Sequence, residues 1–379
     1  MKGDCMNILY ISYINPYPWS GPTYSVPCQI EAQSKIDNVL WYNTIDPNSE
    51  ITKKWMPGVD WKKRAYYVDL SDYPKRRIAD LPEPFSKPDV IIVEQFYGFA
   101  RSPLIKELEK CNIPYIIIPR GELAKDAQKR KWLKKFIANQ LIFLRFARKA
   151  ACIQYLTAQE MEDSGVGWNK NYVILSNGIT VHKKKKVTFN QGCSLKCISI
   201  GRIEPYQKGF DLLIEACTII QDELRKCNCV IQINGPDRVG RLEEMNALLM
   251  TNGIQDLIRF GDALYGSEKE KELLNSDVFI MTSRFEGHPM SLIEAMDYGL
   301  PCIVTTGTNM RKEVVEADAG WGADNDTKSI ARTILNMLKE RERLCAKGKN
   351  AQKLASIYSW DTIALRSHDK YLEILEKKC

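Results

Sequence analysis

Two doubly wound α/β domains facing each other across a cleft, with a C-terminal helix closing the structure, are the fold class the sequence predicts. Three observations predict it. Short continuous apolar runs recur between longer polar or amphipathic stretches, the mark of parallel strands covered on both faces by helices. That alternation is broken once, at Thr180-Val-His-Lys-Lys-Lys-Lys-Val187, and then restarts. The 379 residues, 44% hydrophobic and 27% charged, exclude a mainly disordered chain and supply cores for about two or three domains.

The first strand is expected over 6–12, where Met6-Asn-Ile-Leu-Tyr-Ile-Ser12 runs into a Pro/Gly-rich turn at 15–22. Strands follow at 39–42, 89–93, 115–118, 152–156 and 172–175. After the lysine run come a strand at 195–200, a helix at 210–225, a strand at 230–233 and a helix at 241–250. Strands at 257–260 and 278–281, a helix at 291–298 and a strand at 302–304 complete the second set. From Trp360 onward, Ile363, Ala364, Tyr371, Leu372 and Ile374 fall at helical spacing. The domain reading is 1–182 and 193–356, joined by a solvated basic linker at 183–192, with 357–379 a helix packing back on the first domain. Ligands of doubly wound sheets bind at the carboxyl ends of strands, so the cleft is the expected site.

Composition narrows the class. Twelve cysteines suit neither a disulfide framework, which a chain this long does not need, nor a zinc site, since Cys193/Cys197 and Cys227/Cys229 lack CxxC spacing. With only His182, His288 and His368 as histidines, no metal centre is expected. No apolar leader and no run of the ~20 residues needed to span a bilayer is visible, so a cytoplasmic chain is expected.

Two motif clusters carry chemistry. Ser283-Arg-Phe-Glu286-Gly287-His288-Pro-Met290-Ser291-Leu-Ile-Glu294-Ala-Met-Asp-Tyr-Gly299 lies between two strands. A helix beginning near Pro289 puts Glu286 in the preceding loop and Glu294 one turn inside, both able to accept hydroxyl hydrogen bonds. Free amides of Met290 and Ser291 at the positive end of the helix would favour phosphate. The plain alternative is two glutamates decorating a helix start. The second cluster, Gly201-Arg202-Ile-Glu-Pro-Tyr-Gln-Lys208-Gly209, follows the strand at 195–200. Gly201 permits close backbone approach, and Arg202 with Lys208 could stabilise charge developing on a departing phosphate. In isolation these are ordinary surface cations.

With Asn234-Gly235-Pro-Asp237 and Phe260-Gly-Asp262 in order between them, these clusters resemble the retaining GT-B glycosyltransferases of family 4, the glycosyl transferases group 1. The likeness covers nearly all of the second domain. It is weaker in the first, where 15–21, Glu94-Gln-Phe-Tyr97, Pro119-Arg120-Gly121-Glu122 and Ser176-Asn-Gly-Ile179 stand at the matching loops. The resemblance implies that the second domain holds a UDP- or GDP-sugar and the first its acceptor, a glycan or lipid-linked glycan of surface polysaccharide synthesis. It also implies that no cofactor or metal is needed. Arg202 and Lys208 would neutralise the donor diphosphate, Glu286 would contact the transferred sugar and Glu294 the ribose. Gly21, Gly201, Gly235, Asp262, Gly287, His288, Met290 and Ser291 complete the donor set, and Glu94, Arg120 and Gly121 are acceptor-side candidates.

Departures qualify the likeness. Only Gly21 stands where the family has a glycine pair, and Arg120-Gly121 occupies a position often His-Gly. No histidine precedes Val181. A histidine base from the first domain is thus unavailable, which suits the family's front-face mechanism, in which the donor phosphate takes the acceptor proton. Arg120 is open to two readings, an anion ligand or a structural ion-pair partner. Rival functions are a nucleotide-sugar epimerase, a non-catalytic sugar-nucleotide binder, and an NAD-dependent oxidoreductase, the last disfavoured by the missing G-x-G-x-x-G.

Charge has a location. Lys plus Arg is 54 and Asp plus Glu 47, a net of +7. The segment 125–149 holds nine basic residues against Asp126, a local +8, interleaved with Trp132, Leu133, Phe136, Ile137, Leu141 and Phe143. Peripheral contact with an anionic membrane is one expectation, and a solvated helix with an ordinary core face the other. No nucleic-acid motif accompanies it.

Overall fold

The computed structural model describes residues 5–17, 21–99, 103–129, 132–190 and 194–377, the side chains of Asp126 and Lys129 excepted. The chain divides into two units, Met1–Gly178 with Trp360–Cys379, and Ile179–Ser359.

The first unit holds seven strands: β1 Asn7–Ser12, β2 Asn38–Asn43, β3 Tyr67–Asp69, β4 Val90–Glu94, β5 Tyr115–Ile118, β6 Cys152–Tyr155 and β7 Tyr172–Ile174. They form one parallel sheet in the order β3-β2-β1-β4-β5-β6-β7. Successive side chains of a strand point to opposite faces. Leu9, Ile11, Ile91, Val93 and Ile117 therefore meet Leu104, Leu108, Phe146 and Ala147 of helices Leu104–Lys110 and Leu144–Lys149 on one face. Ile8, Tyr10, Val90, Ile92 and Ile116 meet Val26, Ile30 and Tyr371 on the other, from helices Gly21–Gln33 and Trp360–Glu376. The closing helix buries Trp360, Ile363, Ala364, Ser367, His368 and Tyr371, a repeat of three and four residues. His368 Nδ1 lies 2.9 Å from Asp37 Oδ1, and Tyr371 donates to Gln154 Oε1 at 2.8 Å.

The second unit has six strands: β8 Leu195–Ile200, β9 Cys229–Asn234, β10 Ile258–Gly261, β11 Val278–Met281, β12 Cys302–Thr305 and β13 Gly320–Ala323. Their order is β10-β9-β8-β11-β12-β13, again wholly parallel. Cys197, Ile231, Ile233, Val278, Ile280 and Ile303 pack on one side, and Ile198, Ile200, Phe279, Met281 and Val304 on the other.

Three differences from expectation have physical causes. Strand β3 is a three-residue edge, too short to register as an apolar run, and β13 reads Gly-Trp-Gly-Ala. Its glycine permits close pairing, since a Cβ on Gly320 would stand 1.9 Å from the Cys302 carbonyl oxygen. The helix expected over 210–225 is two, Phe210–Ile219 and Gln221–Lys226, interrupted at Ile220 with φ −114° and ψ 23°. The lysine run is not a solvated linker. Lys184 pairs with Glu270 at 2.5 Å and Lys185 with Asp297 at 2.5 Å, while Lys186, its side chain 6% exposed, approaches Asp277 at 3.4 Å. The segment is ion-paired onto the second unit through acids about a hundred residues downstream, partners that a local reading of charge cannot supply. Cys193 lies outside the described residues.

Candidate active site

The site of the second unit is assembled at the carboxyl ends of β8, β9 and β11. Chain approach there is set by glycine. The Gly201 amide donates to Asn234 O at 3.0 Å, and a Cβ on Gly235 would stand 1.7 Å from the Gly201 carbonyl oxygen, so the loops after β8 and β9 touch. After the short helix Pro205–Lys208, Gly209 takes φ 65°, a left-handed conformation favouring glycine. A Cβ there would meet Thr282 O at 2.0 Å, and Thr282 Oγ1 bonds the carbonyls of Lys208 and Gly209, each at 3.1 Å. The loop carrying Lys208 is thereby fastened to the end of β11.

That fastening brings the two sequence clusters together. Lys208 Nζ lies 2.7 Å from Glu286 Oε1, with side chains 13% and 10% exposed, and Ser283 Oγ donates to the same oxygen at 2.5 Å. Asn309 Nδ2 donates to the Glu286 carbonyl oxygen, holding the loop backbone. Arg202 bonds Glu204 at 2.6 Å and Gln207 at 3.2 Å. Both expected phosphate cations thus carry glutamate partners, leaving the local field less positive than Arg202 and Lys208 alone suggest.

The helix Met290–Tyr298 begins where expected, but its first amide is not free: Met290 N donates to His288 O at 2.9 Å. This corrects the expected pair of open amides. Of the two, it is the Ser291 amide that has no protein acceptor among the described residues. Glu294, one turn in, is paired with Lys269 of helix Gly266–Leu274. His288 rests its Nδ1 3.3 Å from Met290 Sδ, and its Nε2 is enclosed without a partner among the described residues. Burial holds its imidazole down at about 4, so it is neutral near pH 7. Gly287 and Asp262 are exposed, and the Asp262 carbonyl accepts from Asn234 Nδ2 at 3.0 Å.

The acceptor-side candidates form a closed group in the first unit. Glu94 ends β4 fully buried, and Arg120 Nε donates to its Oε2 at 2.7 Å. Arg120 also donates to Ser25 Oγ at 3.1 Å, Asn177 Oδ1 at 2.8 Å and Gln29 Oε1 at 2.7 Å, its side chain 4% exposed. Four of its five N–H donors go to protein oxygens, the arrangement of an ion-pair partner within the first unit. Gly121, at φ 83°, donates its amide to Glu160. Gly21 opens helix Gly21–Gln33, and the Ser20 before it lies outside the described residues.

Sequence reasoning missed Ser283, Lys269, Glu204 and Asn309. Ser283 stood in the motif only as its first residue, with no local pattern to mark its bond to Glu286. Lys269, in Gly-Ser-Glu-Lys-Glu-Lys-Glu, had no signal.

Residues 182–354 match the family model described as glycosyl transferases group 1. Among curated proteins, the chain is 25% identical over 265 residues to N,N'-diacetylbacillosaminyl-diphospho-undecaprenol alpha-1,3-N-acetylgalactosaminyltransferase of Campylobacter jejuni, covering 65% of each. It is 26% identical over 188 residues to UDP-Gal:alpha-D-GlcNAc-diphosphoundecaprenol alpha-1,3-galactosyltransferase of Escherichia coli, covering 46% of this chain and 45% of that protein. The matches span 38%, 65% and 43% of the lengths of three such relatives. Among solved structures, Anabaena HepE in complex with UDP superposes with TM-score 0.71 at 15% identity, covering 97% of this chain and 100% of that one.

Proposed function

We propose that this protein, whose residues 182–354 match the glycosyl transferases group 1 model in a chain of GT-B fold, transfers one sugar from a UDP- or GDP-sugar to a glycan or lipid-linked acceptor in surface polysaccharide synthesis. One observation carries the reading: Lys208 and Ser283 converge on a single carboxylate oxygen of Glu286 at the ends of two neighbouring strands within the matched segment. Two relatives, named for action on diphosphoundecaprenol-linked sugars, support the acceptor class.

In this reading the sugar's anomeric carbon–oxygen bond to the diphosphate breaks and the acceptor oxygen bonds to the same face, retaining configuration. The acceptor proton goes to the departing phosphate oxygen. Lys208 and Arg202 hold the diphosphate through charge-assisted hydrogen bonds, the Ser291 amide adds a donor, and no metal is required. Glu286, oriented by Ser283, accepts from sugar hydroxyls, and Glu294 accepts from the ribose. His288, neutral and enclosed, can offer a hydrogen bond without adding charge.

The test is product analysis. With undecaprenyl- or short-prenyl-diphosphate glycans and a panel of UDP- and GDP-sugars, nucleotide diphosphate should be released only when acceptor is present, and the new linkage should keep the donor's anomeric configuration by NMR. A sugar converted with its nucleotide still attached identifies an epimerase. Activity lost to chelator and restored by Mn²⁺ contradicts metal independence.

A further inference from the structure

The segment after residue 131 resolves the two expectations for the basic stretch in a third way. Helix Trp132–Ala138, a π-helical turn Asn139–Phe143 and helix Leu144–Lys149 run on without a break. The second half is ordinary core, with Phe143, Phe146 and Ala147 buried. The first half buries nothing. Trp132 is 65% exposed, Leu133 55%, Phe136 57%, Ile137 50% and Leu141 73%.

At about 100° per residue these five side chains cover roughly half of the helix circumference, and all five are exposed. The π turn adds a residue to one turn and shifts the phase of the helix beyond it, so the apolar positions before it face water and those after it face the core. Asn139 anchors the shift: Tyr97 Oη donates to its Oδ1 at 2.9 Å, and its Nδ2 donates to Gln128 Oε1 at 3.2 Å. Exposed apolar groups of this size gathered on one helix are unusual for a surface with no partner.

Charge indicates the partner. Lys125, Lys134, Arg145, Arg148 and Lys149 are exposed along the same stretch of chain. Of these, Arg145 and Lys149 share Glu109, at 3.0 and 3.7 Å. Arg130 and Lys131 lie outside the described residues. A protein partner of opposite charge would account for the cations alone. A half-cylinder of exposed Trp, Leu, Phe and Ile within a strongly basic segment matches an anionic bilayer, which offers hydrocarbon beneath a negative surface.

We propose that residues 132–142 insert their apolar side chains into the interface of an anionic lipid bilayer, with the surrounding cations drawing the unit to that surface. No helix among the described residues is long and apolar enough to cross the membrane, so the segment lies in the interface. The proposal names the lipid-contacting face of a lipid-acceptor enzyme, and it stands or fails without reference to catalysis.

The experiment is vesicle sedimentation of the full chain without donor, using 30% phosphatidylglycerol in phosphatidylcholine and pure phosphatidylcholine. The triple variant Leu133→Ser, Phe136→Ser, Leu141→Ser should bind the anionic vesicles at least tenfold more weakly, with unchanged melting temperature because its side chains are already exposed. Lys134→Glu with Arg148→Glu should weaken binding to anionic vesicles and leave the weak binding to phosphatidylcholine. Trp132→Phe should reduce the blue shift of tryptophan emission on vesicle addition. Triple-variant binding equal to wild type overturns insertion. A dimer in sedimentation velocity that the triple variant dissociates would make the face a self-association surface and overturn the lipid assignment. Acceptor-dependent nucleotide release with a short-prenyl acceptor in detergent, measured on the same triple variant, reports the transferase reading separately.

Discussion

Replacing Lys208 by Met tests whether the Lys208–Glu286 pair is a structural ion pair or the phosphate grip of the donor site. At 2.7 Å the gross attraction is about 6 kcal/mol for an effective dielectric constant near 20. Desolvation offsets most of it, but removing only the lysine strands a carboxylate that is 10% exposed and keeps Ser283 alone. The stability loss should be about 2–4 kcal/mol, just below the range for fully buried pairs. The loss of one charge-assisted bond to phosphate should weaken UDP or GDP binding by roughly 10- to 150-fold, from about 1.5–3 kcal/mol. Glu286→Gln keeps an acceptor for Ser283 and releases Lys208 from its competing anion. Nucleotide affinity should hold or improve while turnover falls about 10²- to 10³-fold, the scale of losing one polar contact to the reacting sugar. The double variant Lys208→Met, Glu286→Gln removes both charges and should return to within about 1 kcal/mol of wild-type stability without regaining turnover. Urea unfolding, nucleotide calorimetry and acceptor-dependent nucleotide release read the three quantities. If the double variant regains stability and turnover together, the pair is structural and the donor site has been misplaced.

Three further perturbations follow from the geometry. The His288 imidazole titrates near 4 when folded against 6.5 in a free chain, so between those values only the unfolded state is protonated. Stability is therefore full above pH 6.5 and falls toward pH 4 by up to about 3 kcal/mol, and His288→Asn should flatten that part of the urea-midpoint profile, whereas parallel profiles would refute the assignment. Arg120→Met leaves Glu94 buried without a counter-charge and should cost about 3–5 kcal/mol, partly regained in Arg120→Met with Glu94→Gln; an unchanged melting temperature with a raised acceptor KM would return Arg120 to anion binding. Gly235→Ala forces the loops after β8 and β9 apart and should destabilise by about 1–3 kcal/mol while lowering donor affinity, so wild-type calorimetry for this variant would show that the contact is not needed.

Much of the fold was legible because parallel strands buried on both faces are continuous apolar runs, and β5, β8 and β11 have their expected bounds. What escaped was either too short, as in β3, or built from glycine for closeness, as in β13. The glutamates and cations of the candidate site were visible as residue types at strand ends, but their mutual pairing was not. Nothing in the sequence says that Lys208 reaches Glu286, 78 residues away, or that Glu294 is held by Lys269. The basic helix shows a different gap: periodicity marks an amphipathic segment but does not say which face meets the core, and one π turn decided it.

The route of the chain has a bearing on its synthesis. Ile179 donates its amide to Tyr358 O at 2.7 Å and bridges to Ser359, so the second unit enters and leaves at adjacent points. Gly178, lacking a Cβ that would stand 2.6 Å from the Trp360 ring, sits against the helix that returns. The second unit is thus an insertion between the body of the first and its last helix, and a ribosome completes the inserted unit before the residues that close the earlier one exist. Until Trp360–Glu376 emerges, Asp37 lacks His368 and Gln154 lacks Tyr371. A premature stop near residue 358 would release a chain whose second unit is nearly whole and whose first has an uncovered sheet face, exposed to chaperones and proteases although the lesion lies far from it in sequence.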